Sequence, residues 1–356
     1  MDRNDSAPNS SSYCDPWYAK AAASLEIPVY HVIGGLLCVF GPISHLLSIV
    51  TCYRQSKKEP AYFYQIFIIS AETVKNFASL AFVFVSIFGW SVTGGSAWFH
   101  SNYVLMWYTA HLAAPLPNLC HTLCLLLTIS MVADRVFAMW KPFVYKFINH
   151  RAHQAMALTI CLFLAISTGM ADSFRANDPK LNPETGVYEI TMNMEFVFSP
   201  LGTIMLRLRD GLRVFCLVAL ISVNCVMIKL YHRRAAAVFH LTSKAPLQTA
   251  PKTTSNARDK NKQKEEATLI SLALIQCSLN SFSVICAGVY YIVLYTIPTV
   301  GQCKIIFWTP LLDAVLMICD ISTVYVVLLV NKRFRKLLLE HVPCLKVILK
   351  AICKLK

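Results

Sequence analysis

The sequence predicts an all-α membrane protein, a seven-transmembrane helix bundle with its N-terminus outside and a cytoplasmic membrane-surface helix after the last span. Three observations predict this class. The chain of 356 residues is 56% hydrophobic and only 15% charged, whereas soluble domains carry about a quarter charged residues. Its mean hydropathy is +0.52. The apolar residues also form long runs, and a helix needs roughly 20 apolar residues to cross a bilayer.

Seven apolar windows meet that length requirement. They cover residues 28–53, 62–90, 103–139, 154–173, 203–231, 267–297 and 306–330. These runs are far too long for the strands of a barrel, so helices are the spanning structure that satisfies the backbone hydrogen bonds. We therefore expect the bundle to occupy residues 28–330, after a polar extracellular segment of residues 1–27.

The positions of Lys and Arg predict the orientation, since short cytoplasmic loops are rich in both. Residues 233–264 hold eight basic residues and the tail after residue 331 holds another eight, whereas residues 91–102 hold none. The N-terminus is therefore expected outside. Asn4 and Asn9 open Asn-x-Ser sequons in that segment, where we expect glycosylation. Residues 1–25 lack the apolar stretch of a cleavable signal peptide.

Three segments outside the spans have distinct patterns. The basic, polar stretch at about 233–265 predicts a disordered cytoplasmic loop. Residues 187–198 partly alternate between apolar and polar side chains, which indicates a short external hairpin. Residues 331–356 combine basic and apolar residues in the pattern of a helix on the inner leaflet. In that tail Cys344 and Cys353 are either acylated or simple thiols.

The end of the third window carries the most informative motif. Asp134-Arg135 is followed, a turn and a half later, by Lys141-Pro142-Phe143. This pattern resembles the signature at the end of the third helix in rhodopsin-like (class A) G-protein-coupled receptors. The resemblance implies a latch, in which Arg135 and its neighbouring carboxylate keep the cytoplasmic face closed until helix six moves. In the plainer interpretation Arg135 is one more positive charge at an inner helix end.

Other intramembrane polar residues depart from that family. His45 stands where the family has Asn, and Glu72 replaces the Asp that holds a sodium ion in many such receptors. Lys75 lies one turn after Glu72, so we favour an internal Glu72–Lys75 ion pair over sodium. Asp320 lies in the stretch that replaces the family's Asn-Pro-x-x-Tyr motif, and window six lacks the family's Trp and Pro.

The usual disulfide of the family is also absent. Only Cys14 and Cys303 are predicted to face the oxidising outside. We expect them to form a bridge between the N-terminal segment and the last external loop.

Within the family, the sequence is most similar to invertebrate neuropeptide receptors of the FMRFamide and myosuppressin type. The similarity rests on Trp107-Tyr108, Pro115-x-Pro117-Asn118 and the run from Leu125 to Arg135. It implies an RFamide-like peptide ligand, whose cationic Arg would need a carboxylate. Asp313 is the preferred candidate for that carboxylate, and Glu195 and Asp210 are the next candidates.

The pocket implied by this resemblance opens outward between the third, fifth, sixth and seventh spans. The candidate ligand-binding residues near it are aromatic or charged: Trp107, Tyr108, His111, Arg209, Asp210, Arg213, Tyr290, Tyr291, Trp308 and Asp313. Aromatic walls with a few charges suit a peptide. Alternatively, the aromatic residues form an interfacial belt and Arg209, Asp210 and Arg213 pair with one another. Arginines there also admit an anionic lipid or an organic acid.

Several function classes are disfavoured. No zinc-protease, nucleophile-elbow or phosphate-loop motif is present, so we expect no enzyme, metal or cofactor. The net charge of +14 lies in short loops, which argues against nucleic-acid binding. His111 and His121, ten residues apart, are interpreted as packed or hydrogen-bonded.

The first hypothesis is a plasma-membrane receptor that couples an extracellular peptide to a heterotrimeric G protein, with arrestin and membrane lipids as further partners. The basic 233–264 loop, Arg135, Lys141 and Pro142 would form its docking surface. The alternatives are a divergent chemoreceptor for a small molecule or anionic lipid, and a secondary transporter or proton carrier that uses His45, Glu72, Lys75 and Asp320.

Overall fold

The computed structural model describes most of the first five predicted spans and parts of the sixth and seventh. The described residues are 35–56, 61–93, 100–113, 115–148, 150–243, 270–271, 274–275, 277–286, 315, 318–319, 322 and 325. The elements are α1 (Gly35–Ser56), α2 (Ala61–Thr93), α3 (Tyr103–Tyr108), a π-helical turn (Thr109–Ala113), α4 (Pro115–Trp140), α5 (Pro142–Phe147), α6 (His150–Phe174), β1 (Lys180–Leu181), β2 (Tyr188–Glu189), α7 (Met194–Phe198), α8 (Pro200–Ser243) and α9 (Cys277–Cys286).

Polar residues at the helix starts explain where several helices begin. The Asn102 side chain accepts hydrogen bonds from the backbone N–H groups of Val104 and Leu105. The Ser199 hydroxyl accepts a 2.9 Å bond from the Gly202 N–H, and Pro200 occupies the first helical position. Such caps accept hydrogen bonds from backbone N–H groups that have no partner inside the helix. Proline fits the first turn because it has no backbone N–H and therefore needs no acceptor there.

The third span is not a uniform helix. The apolar window 103–139 is long for one span, and within it a π-helical turn at Thr109–Ala113 separates α3 from α4. Pro115 explains the change, because it has no N–H to donate to the carbonyl one turn earlier and its ring crowds that carbonyl. The wider turn therefore falls directly before the proline, and such turns often occur at functional sites.

Within the described residues, three helices are long and apolar enough to cross a membrane: Tyr103–Trp140, His150–Phe174 and Pro200–Arg233. Their outward faces carry large apolar side chains. Phe163, Leu201, Ile204 and Phe215 are each more than 60% exposed. Patches of that kind mark membrane or protein contact surfaces, and together with the length of the helices they identify a membrane protein.

Several hydroxyl groups of the first four long helices donate hydrogen bonds to carbonyls of their own helix. The Thr51 and Thr128 hydroxyls donate to the carbonyls of Leu47 and Cys124, each four residues earlier. Ser70 does the same with Ile66. A hydroxyl bonded in this way needs no water, so it can lie in an apolar environment at little cost.

Helix α4 lies at the centre of the described bundle. It packs against α2, α6 and α8, while α1 packs on α2. Its buried core face is formed by Leu123–Leu127 and Met131–Val132. The contact with α6 is close at Gly169, where an added Cβ would lie 2.9 Å from the Cβ of Leu119. Small residues permit this approach between membrane helices.

A two-stranded hairpin covers one end of the bundle. Lys180 pairs with Glu189 and Leu181 with Tyr188, in antiparallel register. Asn182 organises the turn, since its side-chain oxygen accepts a 2.9 Å bond from the Glu184 N–H, and Gly186 has a φ of +68°. A hairpin therefore lies between α6 and α8, but its first strand comes before the segment 187–198 from which we predicted it, and its outward location stays a prediction. The last residues of the segment 187–198 do not belong to the hairpin. Met194–Phe198 instead form a short helix capped by Asn193.

The first five windows coincide with helices. One boundary was wrong, since α8 continues to Ser243 and residues 233–243 are helical rather than part of the loop placed at 233–265. Three alanines at 235–237 favour that extension. The count of seven spans and the outward N-terminus stay predictions. Predicted site residues outside the described ranges are Asn4, Asn9, Cys14, Tyr290, Tyr291, Cys303, Trp308, Asp313, Asp320, Cys344 and Cys353.

Candidate functional site

The Asp134–Arg135 motif lies at one end of the bundle, in the last two turns of α4. We call this end, defined by Asp134, Arg135 and Tyr145, the Arg135 end. Both motif side chains are buried, and Arg135 Nη2 lies 3.7 Å from Asp134 Oδ2. The Tyr145 hydroxyl, which comes from α5, donates a 2.9 Å hydrogen bond to the same oxygen. Asp134 therefore has two partners, one of which is a residue that the sequence analysis did not select.

Arg135 is incompletely hydrogen-bonded. Its Nε and Nη2 atoms are buried and have no hydrogen-bond partner among the described residues. The same holds for the hydroxyl of Tyr64 on α2. An unsatisfied buried polar group costs about 1–3 kcal/mol. This end of the bundle therefore holds polar groups that would gain from a rearrangement.

Helix α5 fixes Tyr145 and exposes its remaining residues. The Tyr145 ring packs against His150 at 4.4 Å and Phe137 at 6.2 Å between ring centroids. Pro142 occupies the first position of α5, and Lys141 Nζ lies 4.8 Å from the centroid of the Trp140 ring. Both predicted docking residues, Lys141 and Pro142, are exposed.

The opposite end, which the β1–β2 hairpin covers, is called the hairpin end. His111, in the π-helical turn, contacts Asp178 at 3.1 Å (Nε2 to Oδ1) and packs on the Trp107 ring at 5.2 Å. The Tyr108 hydroxyl donates to the Ala78 carbonyl at 2.8 Å. The structure therefore places Trp107 and His111 together at the base of the hairpin, whereas the hydroxyl of Tyr108 is used in packing against α2.

Arg209 is held by two carboxylates. Its Nη1 atom contacts Asp172, at the end of α6, and its Nη2 atom lies 2.9 Å from Asp210 Oδ1. The plainer interpretation of an internal pair is thus correct for Arg209 and Asp210. Asp172 was missed in the sequence analysis, although a carboxylate inside an apolar span is a signal that a cationic partner lies near. Arg213 lies one turn further along α8.

A third polar group lies inside the bundle between α1 and α2. His45 and Glu72 are both buried, and their Nε2 and Oε2 atoms are 3.8 Å apart. Asn76, which sequence reasoning missed, lies within 3.5 Å of the other ring nitrogen of His45. Glu72 therefore faces His45, and its predicted pairing with Lys75 stays a prediction.

Comparison with known proteins gives the fold. The chain aligns with the crystal structure of squid rhodopsin at a TM-score of 0.62 and 11% identity, over 93% of this chain and 87% of that one. The chain has the rhodopsin fold. No family model matches the sequence, and no curated relative matches it either.

The rhodopsin fold supports the first part of the sequence-based resemblance, namely the fold class of a G-protein-coupled receptor. The finer similarity to FMRFamide-type receptors is not supported by the structural comparison and stays a prediction.

Two side-chain hydrogen bonds join the described part of the sixth span to α4 and α8. Asn280 Nδ2 donates to Thr128 Oγ1 at 2.9 Å, and Cys277 Sγ lies 3.6 Å from the Leu220 carbonyl.

Proposed function

We propose that the chain is a G-protein-coupled receptor of the plasma membrane, which binds an extracellular ligand at the hairpin end and a heterotrimeric G protein at the Arg135 end. The arrangement of Asp134, Arg135 and Tyr145 within a rhodopsin fold is the observation that carries this proposal. A buried arginine held at 3.7 Å from one carboxylate can exchange that partner for another. A ligand then acts by favouring one of the two arrangements.

The surface around this group suits a protein partner. Lys141 and Lys146 supply positive charge beside exposed aromatic side chains, and Phe143 and Phe147 are 78% and 89% exposed. Exposed apolar residues within a basic rim are typical of a docking surface. The G protein, and arrestin after it, would occupy this surface.

An amidated, RFamide-like neuropeptide is the ligand class that the sequence resemblance favours. Of the candidate carboxylates among the described residues, Asp210 is paired with Arg209, whereas Glu195 is exposed in the first turn of α7. Asp313, the preferred carboxylate, lies outside the described residues. The engaged Asp210 removes one candidate carboxylate and leaves Glu195 and Asp313 as the partners for such a peptide.

The proposal is tested by a G-protein dissociation assay in cells that express the full chain, screened against amidated neuropeptides and against small acids. Arg135→Ala should abolish the response. Arg151→Ala is the matched control, because Arg151 is exposed in the first turn of α6 and should leave the response intact. A response that survives Arg135→Ala, with both variants equally present at the surface, would refute the proposed role of the motif.

A further inference from the structure

One hydrogen bond joins the described part of the sixth span to the central helix. The Asn280 amide Nδ2 on α9 donates to Thr128 Oγ1 on α4 at 2.9 Å. Thr128 is fully buried, and its hydroxyl donates its own proton to the Cys124 carbonyl at 2.7 Å. The Thr128 oxygen is therefore the acceptor in the contact with Asn280, and the bond within α4 orients the lone pair that it offers. The contact is a directed hydrogen bond between two helices.

Thr128 lies on nearly the same face of α4 as the arginine of the Asp134–Arg135 motif. Arg135 follows Thr128 by seven residues, which is two helical turns, about 10 Å along the axis and an angular offset of about 20°. Both side chains are buried. A helix held at Thr128 therefore lies against the side of α4 that carries Arg135.

The buried face of α9 is made of short side chains, three of them polar. Its buried residues are Cys277, Ser281, Ser283 and Val284, whereas the larger Phe282 and Ile285 are 51% and 44% exposed. The Ser283 hydroxyl is buried without a hydrogen-bond partner among the described residues. Short polar side chains bury little apolar area, so they contribute little to packing. The position of α9 therefore depends strongly on individual hydrogen bonds.

We propose that the Asn280–Thr128 hydrogen bond is a second latch, which holds the sixth span against α4 in the closed arrangement and breaks when the Arg135 end opens. This inference rests on the proposed function, which gives the bundle a closed and an open arrangement. A hydrogen bond between membrane helices contributes only a small net free energy, so this latch can open reversibly. Asn280 is a positioning residue, because it acts through the placement of the sixth span.

The thiol of Cys277 reports the position of α9 without any G protein. Cys277 is fully buried, and its Sγ lies 3.6 Å from the Leu220 carbonyl oxygen on α8. The purified full chain in lipid nanodiscs is treated with N-ethylmaleimide, and the labelling rate of each cysteine is followed by peptide mass spectrometry. When closing is fast, the rate at which a buried group reacts follows the population in which it is open. The Cys277 rate therefore measures how often the sixth span leaves the bundle.

Thr128→Val keeps the shape of the side chain and removes the acceptor. We expect this variant to label Cys277 roughly 3- to 20-fold faster, the range that corresponds to one hydrogen bond between membrane helices. Basal GTPγS uptake by a purified G protein should rise by a similar factor. Thr128→Ser keeps the hydroxyl and should stay near the parent protein. If Thr128→Val does not fold, Asn280→Leu removes the donor instead and should give the same result.

Matched controls exist on both helices. Thr122 is also buried on α4, and its hydroxyl donates to the Asn118 carbonyl of the same helix at 3.0 Å. Thr122→Val should therefore leave the labelling of Cys277 unchanged. Ser278→Ala is the control on α9, since the exposed Ser278 hydroxyl donates to the Leu274 carbonyl of its own span.

A second thiol separates the latch from a general loosening of the protein. Cys161 is buried on α6, 3.5 Å from Ser130 Oγ on α4, and its labelling rate should be the same in every variant. The double variant Thr128→Val/Asn280→Leu tests whether the two residues act through one bond. Because both single changes remove the same interaction, the double variant should label Cys277 no faster than the faster single variant.

Three results would overturn the inference. They are unchanged labelling of Cys277 in both Thr128→Val and Asn280→Leu, an equal acceleration at Cys161, and an increase in the double variant that equals the product of the two single increases. The receptor function fails separately. Faster labelling of Cys277 with no activation of a G protein by any variant refutes the receptor and leaves the latch. Activation that is lost in Arg135→Ala, with unchanged labelling of Cys277 in both latch variants, refutes the latch alone.

Discussion

The hydrogen bond between Tyr145 and Asp134 provides the sharpest test of the Arg135 end. Tyr145→Phe removes a single oxygen atom and keeps the ring that packs on His150 and Phe137. The substitution therefore breaks the 2.9 Å bond to Asp134 Oδ2 without creating a cavity. Because this bond fastens α5 to the end of α4, we expect it to stabilise the closed arrangement of this end.

The magnitude follows from the burial of Asp134, whose side chain is 3% exposed. A hydrogen bond to a buried charged group contributes about 1.5–3 kcal/mol. Arg135 Nη2, at 3.7 Å from the same oxygen, can move closer and offset part of the loss. A net change of about 2 kcal/mol corresponds to a roughly 30-fold shift toward the open state. Basal nucleotide exchange on the G protein should therefore rise clearly.

The assay is GTPγS uptake by a purified G protein with the chain in nanodiscs and no ligand. Tyr103→Phe serves as the control, since Tyr103 is 43% exposed in α3 at the opposite end of the bundle and should behave like the parent protein. The thermal unfolding temperature of each variant is measured in parallel. Unchanged basal exchange together with unchanged unfolding temperature in Tyr145→Phe would refute the reasoning.

The same bond has a pH signature. Burial, and secondarily the negative charge of Asp134, raise the pKa of Tyr145, so the hydroxyl remains a donor at neutral pH. An unfolded tyrosine titrates at about 10. The contribution of Tyr145 to stability is therefore complete below about pH 10 and is lost as pH rises toward the raised pKa. The stability difference between the parent and Tyr145→Phe should shrink above that pH, and a constant difference would contradict this account.

Two further predictions concern the packing of the helices and are measured as thermal unfolding temperatures. Arg209→Ala should lower the free energy of unfolding by about 3 kcal/mol, because it leaves the Asp172 side chain, which is 9% exposed, without its cation. Asp210→Ala should lower it by less than about 1 kcal/mol, because the Asp210 side chain is 62% exposed. Equal effects would contradict this. Gly169→Ala should cost about 1–3 kcal/mol through overpacking against α4. Gly211→Ala, with open space around its Cβ position, should stabilise by up to about 1 kcal/mol, and a loss there would refute it.

Features that depend on local sequence were predictable. The windows of the first five spans follow from runs of apolar residues. Each run is continuous in the sequence, so it can be recognised without knowing which distant residues it contacts. The alternation near Val187 predicted a hairpin in this loop but missed its first strand, Lys180–Leu181, and the helix Met194–Phe198. The extension of α8 to Ser243 was missed because the basic residues there suggested a loop, whereas helix propensity and continuity with the preceding span favour a helix.

Features that depend on distant partners were not predictable in the same way. Asp172 and Arg209 are 37 residues apart, and the sequence alone does not bring the end of α6 to the start of α8. Tyr145 lies only 11 residues from Asp134, but its hydroxyl reaches the carboxylate because α5 folds back on α4. The π-helical turn before Pro115 was missed because apolar periodicity does not distinguish it from α-helix.

Arg135 and Arg209, which both lie beside carboxylates, suggest where the free energy of the proposed switch lies. Arg209 makes hydrogen bonds with two carboxylates, so any movement that separates α6 from α8 loses them. Arg135 has one carboxylate at 3.7 Å and two nitrogen atoms without a hydrogen bond among the described residues. Exchanging the one carboxylate partner of Arg135 therefore costs fewer hydrogen bonds than separating α6 from α8 at Arg209, and we expect the proposed switch to act at the Arg135 end first.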